Sequence, residues 1–169
     1  MLNFIISAAV VFILFFMAFQ DFKFRAISWY AFPLLGVLLV FSNEAFSVND
    51  AGFNTAFVAL NLLLVTLIFS LRERRFVNVF DHHLGLGDVL LLLCITIYFP
   101  FLLFFIFYLI SLVLIVIGVG FYKIWNRRIN FTVPLAGLQS LMLIPIVVLC
   151  WTFDLRLNEL SENLIYLLS

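Results

Sequence analysis

The segment from Val89 to Tyr122 contains no charged residue, and it restricts the possible folds more than any other stretch. As one helix it would run about 50 Å at about 1.5 Å per residue, against a bilayer hydrocarbon core of about 30 Å. Pro100, in "YFPF", removes a backbone donor and clashes with the preceding turn. The segment therefore reads as two helices meeting near Pro100. The rest of the chain has the same character, with 66% hydrophobic and 11% charged residues. Soluble domains are about half apolar and about a quarter charged. The composition predicts an all-α, polytopic membrane protein with the lipid bilayer as its surroundings. Formal net charge is zero, so nothing in the overall charge points to nucleic acid.

Six transmembrane helices are expected, in a single domain of residues 1–169. The first covers about Leu2 to Phe19. It lacks both a basic segment before it and a small-residue cleavage site after it, so it reads as a retained span. The second covers about Trp29 to Phe41, extended to Ile27 and Asn43 to reach a spanning length. The third covers about Phe53 to Leu71, the fourth and fifth divide the run at Pro100, and the sixth covers about Val133 to Phe153. With the N-terminus outside, the cytoplasmic segments hold Lys23, Arg25, Arg72, Arg74, Arg75, Lys123, Arg127 and Arg128. Only Arg156 is left on the external side, with Glu44, Asp50, Asp154, Glu159 and Glu162. That asymmetry obeys the positive-inside rule, and a multi-pass protein of the inner (cytoplasmic) membrane is expected. Merging the fourth and fifth spans would move Lys123, Arg127 and Arg128 outside and destroy it. The tail "DLRLNELSENLIYLL" fits either an interfacial amphipathic helix or a frayed end.

This topology brings two acids to one membrane face. Asp21 follows the first span as it reaches the cytoplasm, and Asp88 precedes the fourth as it leaves. Asp88 alone could serve as a helix N-cap. Gly85 and Gly87, in "GLGD", add something an N-cap does not require: bare backbone, free to adopt positive φ and open to the close approach of an extended peptide. Asp21 sits at the unfavourable end of its helix dipole, where it is either a solvated acid paired with Lys23 or Arg25 or a functional group. Two carboxylates in one low-dielectric site cannot both ionise cheaply, so such a pair shares a proton. It can take a proton from water and give one to a carbonyl oxygen, as in aspartic proteases. Ser28, Ser42 and Ser111 have no adjacent base.

Other polar residues give weaker signals. Cys94 and Cys150 lie in apolar runs and read as small buried hydrophobes. Asn54 and Asn61 share a face of the third span and suggest hydrogen bonds between helices. Asp81, His82 and His83 precede Asp88, but adjacent histidines diverge on a helix and no third ligand has suitable spacing, so no metal is expected.

"DFKFRAIS", from Asp21 to Ser28, resembles the segment after the first helix of type IV prepilin peptidases, where an Asp is followed by basic residues and Ile-Pro. "GLGDVLLL", from Gly85, resembles that family's Gly-x-Gly-Asp motif at the start of a later helix. "FTVPLAGLQSL", from Phe131, resembles the Pro-containing start of its last helix. The order of the three segments also agrees. The resemblance implies an intramembrane aspartic endopeptidase that cleaves the basic leader from prepilin-like precursors at the cytoplasmic face. Asp21 and Asp88 would be the catalytic pair, and no metal or organic cofactor would be needed. Gly85 and Gly87 would line the approach of the substrate, and Glu73 and Asp81 would bind its basic leader. Leu90 stands where the family often has Lys, and Ser28 stands in place of the Pro. The cysteine-bearing insertion linked to methylation of the new N-terminus is absent from this sequence, so the likeness is to the peptidase-only forms. The contrasting expectation is a non-catalytic membrane protein, either a small proton- or cation-coupled carrier or a pilus or secretion assembly subunit.

Overall fold

The computed structural model describes residues 2–42, 46–73, 85–126 and 134–168. Among these all regular secondary structure is helical. We number the helices α1 (Leu2–Phe24), α2 (Ala31–Ser42), α3 (Val48–Glu73), α4 (Leu86–Tyr98), α5 (Phe101–Asn126), α6 (Leu135–Thr152) and α7 (Leu157–Leu168). Four of them contain segments long and apolar enough to cross a membrane: Phe4–Phe24, Val48–Ile68, Phe101–Phe121 and Leu135–Thr152. Large apolar side chains such as Phe12, Phe15, Val116 and Ile117 point outward, while Asn54, Gln139 and Ser140 are buried. That inversion suits a chain solvated by lipid. Helices α2 and α4 are apolar but shorter, with 12 and 13 residues.

The break at Pro100 falls where the sequence places it. Phe99 is extended (φ −104°, ψ 141°) and separates α4 from α5. Because Pro100 has no N–H, the carbonyl of Thr96 loses its usual helical donor. Asn54 of α3 fills the gap. Its Nδ2 donates to the carbonyls of Thr96, at 3.0 Å, and Phe99, at 2.8 Å. Asn54 thus makes the interhelical bonds expected of it. Asn61 does not: its Nδ2 donates to Phe57 O one turn back in its own helix, at 2.8 Å. An aromatic cluster fixes α5 on α3 beside this corner, with Phe57 edge-on to Phe104, Phe105 and Tyr108.

The core lies between α1, α2, α4 and α6, around Leu14, Met17, Leu35, Leu39, Leu91, Ile95 and Leu143. Helix α1 packs most extensively on α6, and α2 lies against both α1 and α4. Cys94 is buried and donates through Sγ to Phe32 O at 3.3 Å, and Cys150 is also a free thiol. The tail is helical rather than frayed. In α7, Leu157 and Ser161 are buried while Glu159 and Glu162 are exposed.

Candidate functional site

Helix α1 continues past the apolar run and carries Asp21 in its last turn. Arg25 then adopts a left-handed conformation (φ 54°), with its N–H bonded to Asp21 O at 3.0 Å. The following turn is tied back to α1 by Gln20. Its Nε2 donates to Ser28 Oγ at 3.0 Å, and its Oε1 accepts from Ser28 N at 2.9 Å. A proline at position 28 would lack that N–H. Gln20 thus clamps this turn through both the backbone and the side chain of Ser28.

Asp88 stands at the third position of α4, not at its N-cap. The N-cap is Gly85, whose backbone N–H donates to Asp88 Oδ2 at 3.3 Å. This is the carboxylate half of a capping box, since glycine has no side chain to return the bond. Gly85 has φ −68°, and among the described residues no glycine has a positive φ. The positive φ expected of these glycines is therefore not adopted, and at Gly85 the missing side chain matters instead. A Cβ at Gly85 would lie 3.2 Å from Asp88 Oδ2. A Cβ at Gly87 would make only ordinary contacts, 3.7 Å to Phe32 and 3.8 Å to Ile27.

The start of α6 joins the two acids. Gly137 N donates to Asp21 Oδ2 at 2.6 Å, and Ala136 N donates to Asp88 Oδ1 at 2.7 Å. Consecutive backbone amides therefore hold one carboxylate each. They belong to the first turn after Pro134, where helix N–H groups have no partner within the helix and the dipole favours negative charge. Asp21 is buried and directed at α6, so it is not the solvated acid that pairing with a neighbouring cation would give. Asp88 is half-buried. The short bonds are those expected of charge-assisted contacts to carboxylates.

Ala136 and Gly137 are the site residues that sequence reasoning missed. The visible signal was the Pro-Leu-Ala-Gly run: a helix-starting proline followed by small residues that let another helix come close. Gly137 meets that need directly. A Cβ there would lie 3.0 Å from Asp21 Oδ2, 3.2 Å from Asp21 Cβ and 3.3 Å from the Phe22 ring.

Among the other expected site residues, Asp81 lies outside the described residues, as do His82 and His83. Glu73 is the last residue of α3. Among the described residues no three His, Cys, Asp or Glu side chains are grouped as metal ligands. No protein-family model, curated protein or solved structure matches the chain. The two acids and the amides that hold them are the chemistry this end of the bundle offers.

Proposed function

We propose that the chain is a membrane-embedded aspartic endopeptidase that removes the basic leader of prepilin-like precursors. One observation carries this reading: Asp21 and Asp88, from separate helices, accept hydrogen bonds from the consecutive amides of Gly137 and Ala136. Helices α1 to α6 would cross the inner membrane with the N-terminus outside, which puts the acid pair at the cytoplasmic face. The positive-inside charge pattern supports that orientation.

In the reaction, one carboxylate is ionised and the other carries the shared proton. The ionised group takes a proton from water as the water oxygen bonds to the scissile carbonyl carbon. The protonated group gives its proton to the carbonyl oxygen, producing a neutral tetrahedral diol. Collapse of the diol re-forms the carbonyl and breaks the C–N bond: one diol hydroxyl gives its proton to the carboxylate that is now ionised, the leaving nitrogen takes the proton of the other, and the pair again holds one proton. The amides keep both carboxyl groups oriented without a side chain that could compete for the proton. Gly85, exposed beside Asp88, leaves room for an extended substrate backbone. Glu73 and Asp81 would attract the basic leader.

The test is cleavage, in membranes, of a precursor with a short basic leader, a Gly at the cut and one apolar helix. Wild type should release the leader. Asp21→Asn and Asp88→Asn should insert normally and release none. Residual cleavage by either variant removes that residue from the mechanism. An inactive wild type that instead shows proton-coupled uptake would favour the carrier reading.

A further inference from the structure

The two acids mark one end of the bundle, and Asn54 marks the other. Asp21, in the last turn of α1, and Asp88, in the first turn of α4, both meet the start of α6. Asn54, near the start of α3, reaches the far end of α4 through Thr96 O and Phe99 O. Helix α2 therefore carries the chain from the acid end to the opposite end, as α4 does. Yet α2 has 12 residues and α4 has 13, while α3 and α5, which run the other way, have 26 each. At about 1.5 Å per residue the two short helices measure about 18 and 20 Å, against a hydrocarbon core of about 30 Å. They also lie together. Helix α2 packs along α4, Cys94 Sγ donates to Phe32 O at 3.3 Å, and Ile27 and Phe32 border Gly87. Helix α4 is largely buried, so α2 is the short element that lipid meets, through Leu34, Val37, Val40 and Phe41.

The connecting turns cannot supply the missing length. Backbone outside a helix presents N–H and C=O groups that hydrocarbon does not solvate. Trp29, 77% exposed, and the exposed Tyr30 stand in the turn before α2, and these residue types settle at headgroup level. Helix α2 carries no charged side chain that could extend to a distant interface. Its exposed side chains are bulky, without the small residues that let a second membrane helix come close. What is left for a short span is a thinner bilayer. We propose that the lipid beside α2 thins to about 20 Å of hydrocarbon, close to the length of that helix. The consequence for the site rests on the peptidase reading. Trp29 holds the headgroup layer at the first turn of α2, beside Gly87, so water and the scissile peptide reach the acids without crossing hydrocarbon.

Tryptophan depth in lipid vesicles tests the thinning without reference to activity. Two proteins are compared, both with Trp125 and Trp151 replaced by Phe. One keeps Trp29, at the acid end of α2. The other combines Trp29→Phe with Phe41→Trp, at the far end. In dioleoylphosphatidylcholine both tryptophans should be quenched more by lipids brominated near the headgroup than by lipids brominated toward the chain end. The reverse at either position would place α2 within a bilayer of full thickness and overturn the proposal. So would weak quenching of the Phe41→Trp protein by every lipid, the mark of a second copy covering α2. The unmodified protein gives a second readout. Long helices adapt to a thin bilayer by tilting, but a short one cannot lengthen. Its melting temperature should therefore be higher in dimyristoleoylphosphatidylcholine than in the dioleoyl lipid, and an equal or lower value overturns the proposal. Precursor cleavage should be severalfold faster in the shorter lipid. Equal rates with both tryptophans at the interface would refute only the consequence for the site. A protein that cleaves nothing in either lipid would refute the peptidase reading and leave the depth and melting results to judge the thinning.

Discussion

Replacing Gly137 with Ala should damage this protein, although the same change in most helices is favourable. Ala is normally better than Gly within a helix by roughly 0.5–1 kcal/mol. Here the added methyl would sit 3.0 Å from Asp21 Oδ2, 3.2 Å from Asp21 Cβ and 3.3 Å from the Phe22 ring. The carboxylate oxygen could rotate aside, but the Asp21 Cβ moves only with α1 itself. Relief therefore requires a shift of a few tenths of an ångström along the most extensive helix contact in the molecule. The bond most exposed to that shift is Gly137 N to Asp21 Oδ2, at 2.6 Å. A hydrogen bond to a charged group contributes about 1.5–3 kcal/mol, so its loss outweighs the helix gain and leaves a net destabilisation of about 1–2 kcal/mol. Unfolding in detergent micelles would measure this, and precursor cleavage should fall with it. Gly87→Ala is the matched control, since its methyl would meet atoms only at 3.7 and 3.8 Å. It should be neutral or slightly stabilising. A Gly137→Ala protein that unfolds no sooner than wild type and cleaves at full rate would refute the steric argument.

Two further substitutions probe the supports of the site. Asn54→Asp keeps the shape of the side chain but deletes the donor to Thr96 O and Phe99 O. It should destabilise the fold by roughly 1–3 kcal/mol and at least as much as Asn54→Leu, measured by the same unfolding assay. A milder effect of Asp than of Leu would show that packing, not donation, is the role of Asn54. Ser28→Pro stiffens the turn after α1 but removes both contacts with Gln20. It should lower stability by about 1 kcal/mol, and a more stable variant would mean that the Gln20 clamp contributes nothing.

Much of the helical arrangement was legible because it follows from single-residue chemistry. Pro100 cannot continue a helix, and it does not. Helix ends were less visible. The sequence closes the first span at Phe19 because polar residues begin at Gln20, but α1 runs on to Phe24 and carries Asp21 inside it. Polarity marks where lipid ends, not where backbone hydrogen bonding ends. The glycines show a different limit. Conformational freedom and absence of a side chain look identical in a sequence, and at Gly85 it is the second that matters. The acids could be assigned to one end of the bundle from topology alone. The groups that hold them could not, because a backbone N–H carries no residue-type signature.

Helices α1 and α4 are not among the extensively packed pairs, whereas α6 packs on both. The two acids are therefore held together by a third element, through two adjacent peptide groups. That arrangement makes the pair sensitive to backbone chemistry at a position where most side chains would leave the N–H in place. Ala136→Pro exploits this. Position 136 lies in the first turn of α6, where proline is tolerated because the N–H has no partner within the helix. The substitution deletes the 2.7 Å donor to Asp88 Oδ1 and leaves the amide that holds Asp21. Asp88 would keep only its longer bond from Gly85 N, at 3.3 Å. The orientation of the acids relative to each other should loosen while the bundle stays folded. The expected result is a protein that still folds but is less stable by about 1.5–3 kcal/mol, the scale of a lost hydrogen bond to a charged group, with cleavage per folded molecule reduced by about tenfold or more, the scale of a lost positioning contact. Full cleavage by Ala136→Pro would show that the Asp88 carboxyl is oriented by something other than the start of α6, and the amide clamp would lose its place in the mechanism.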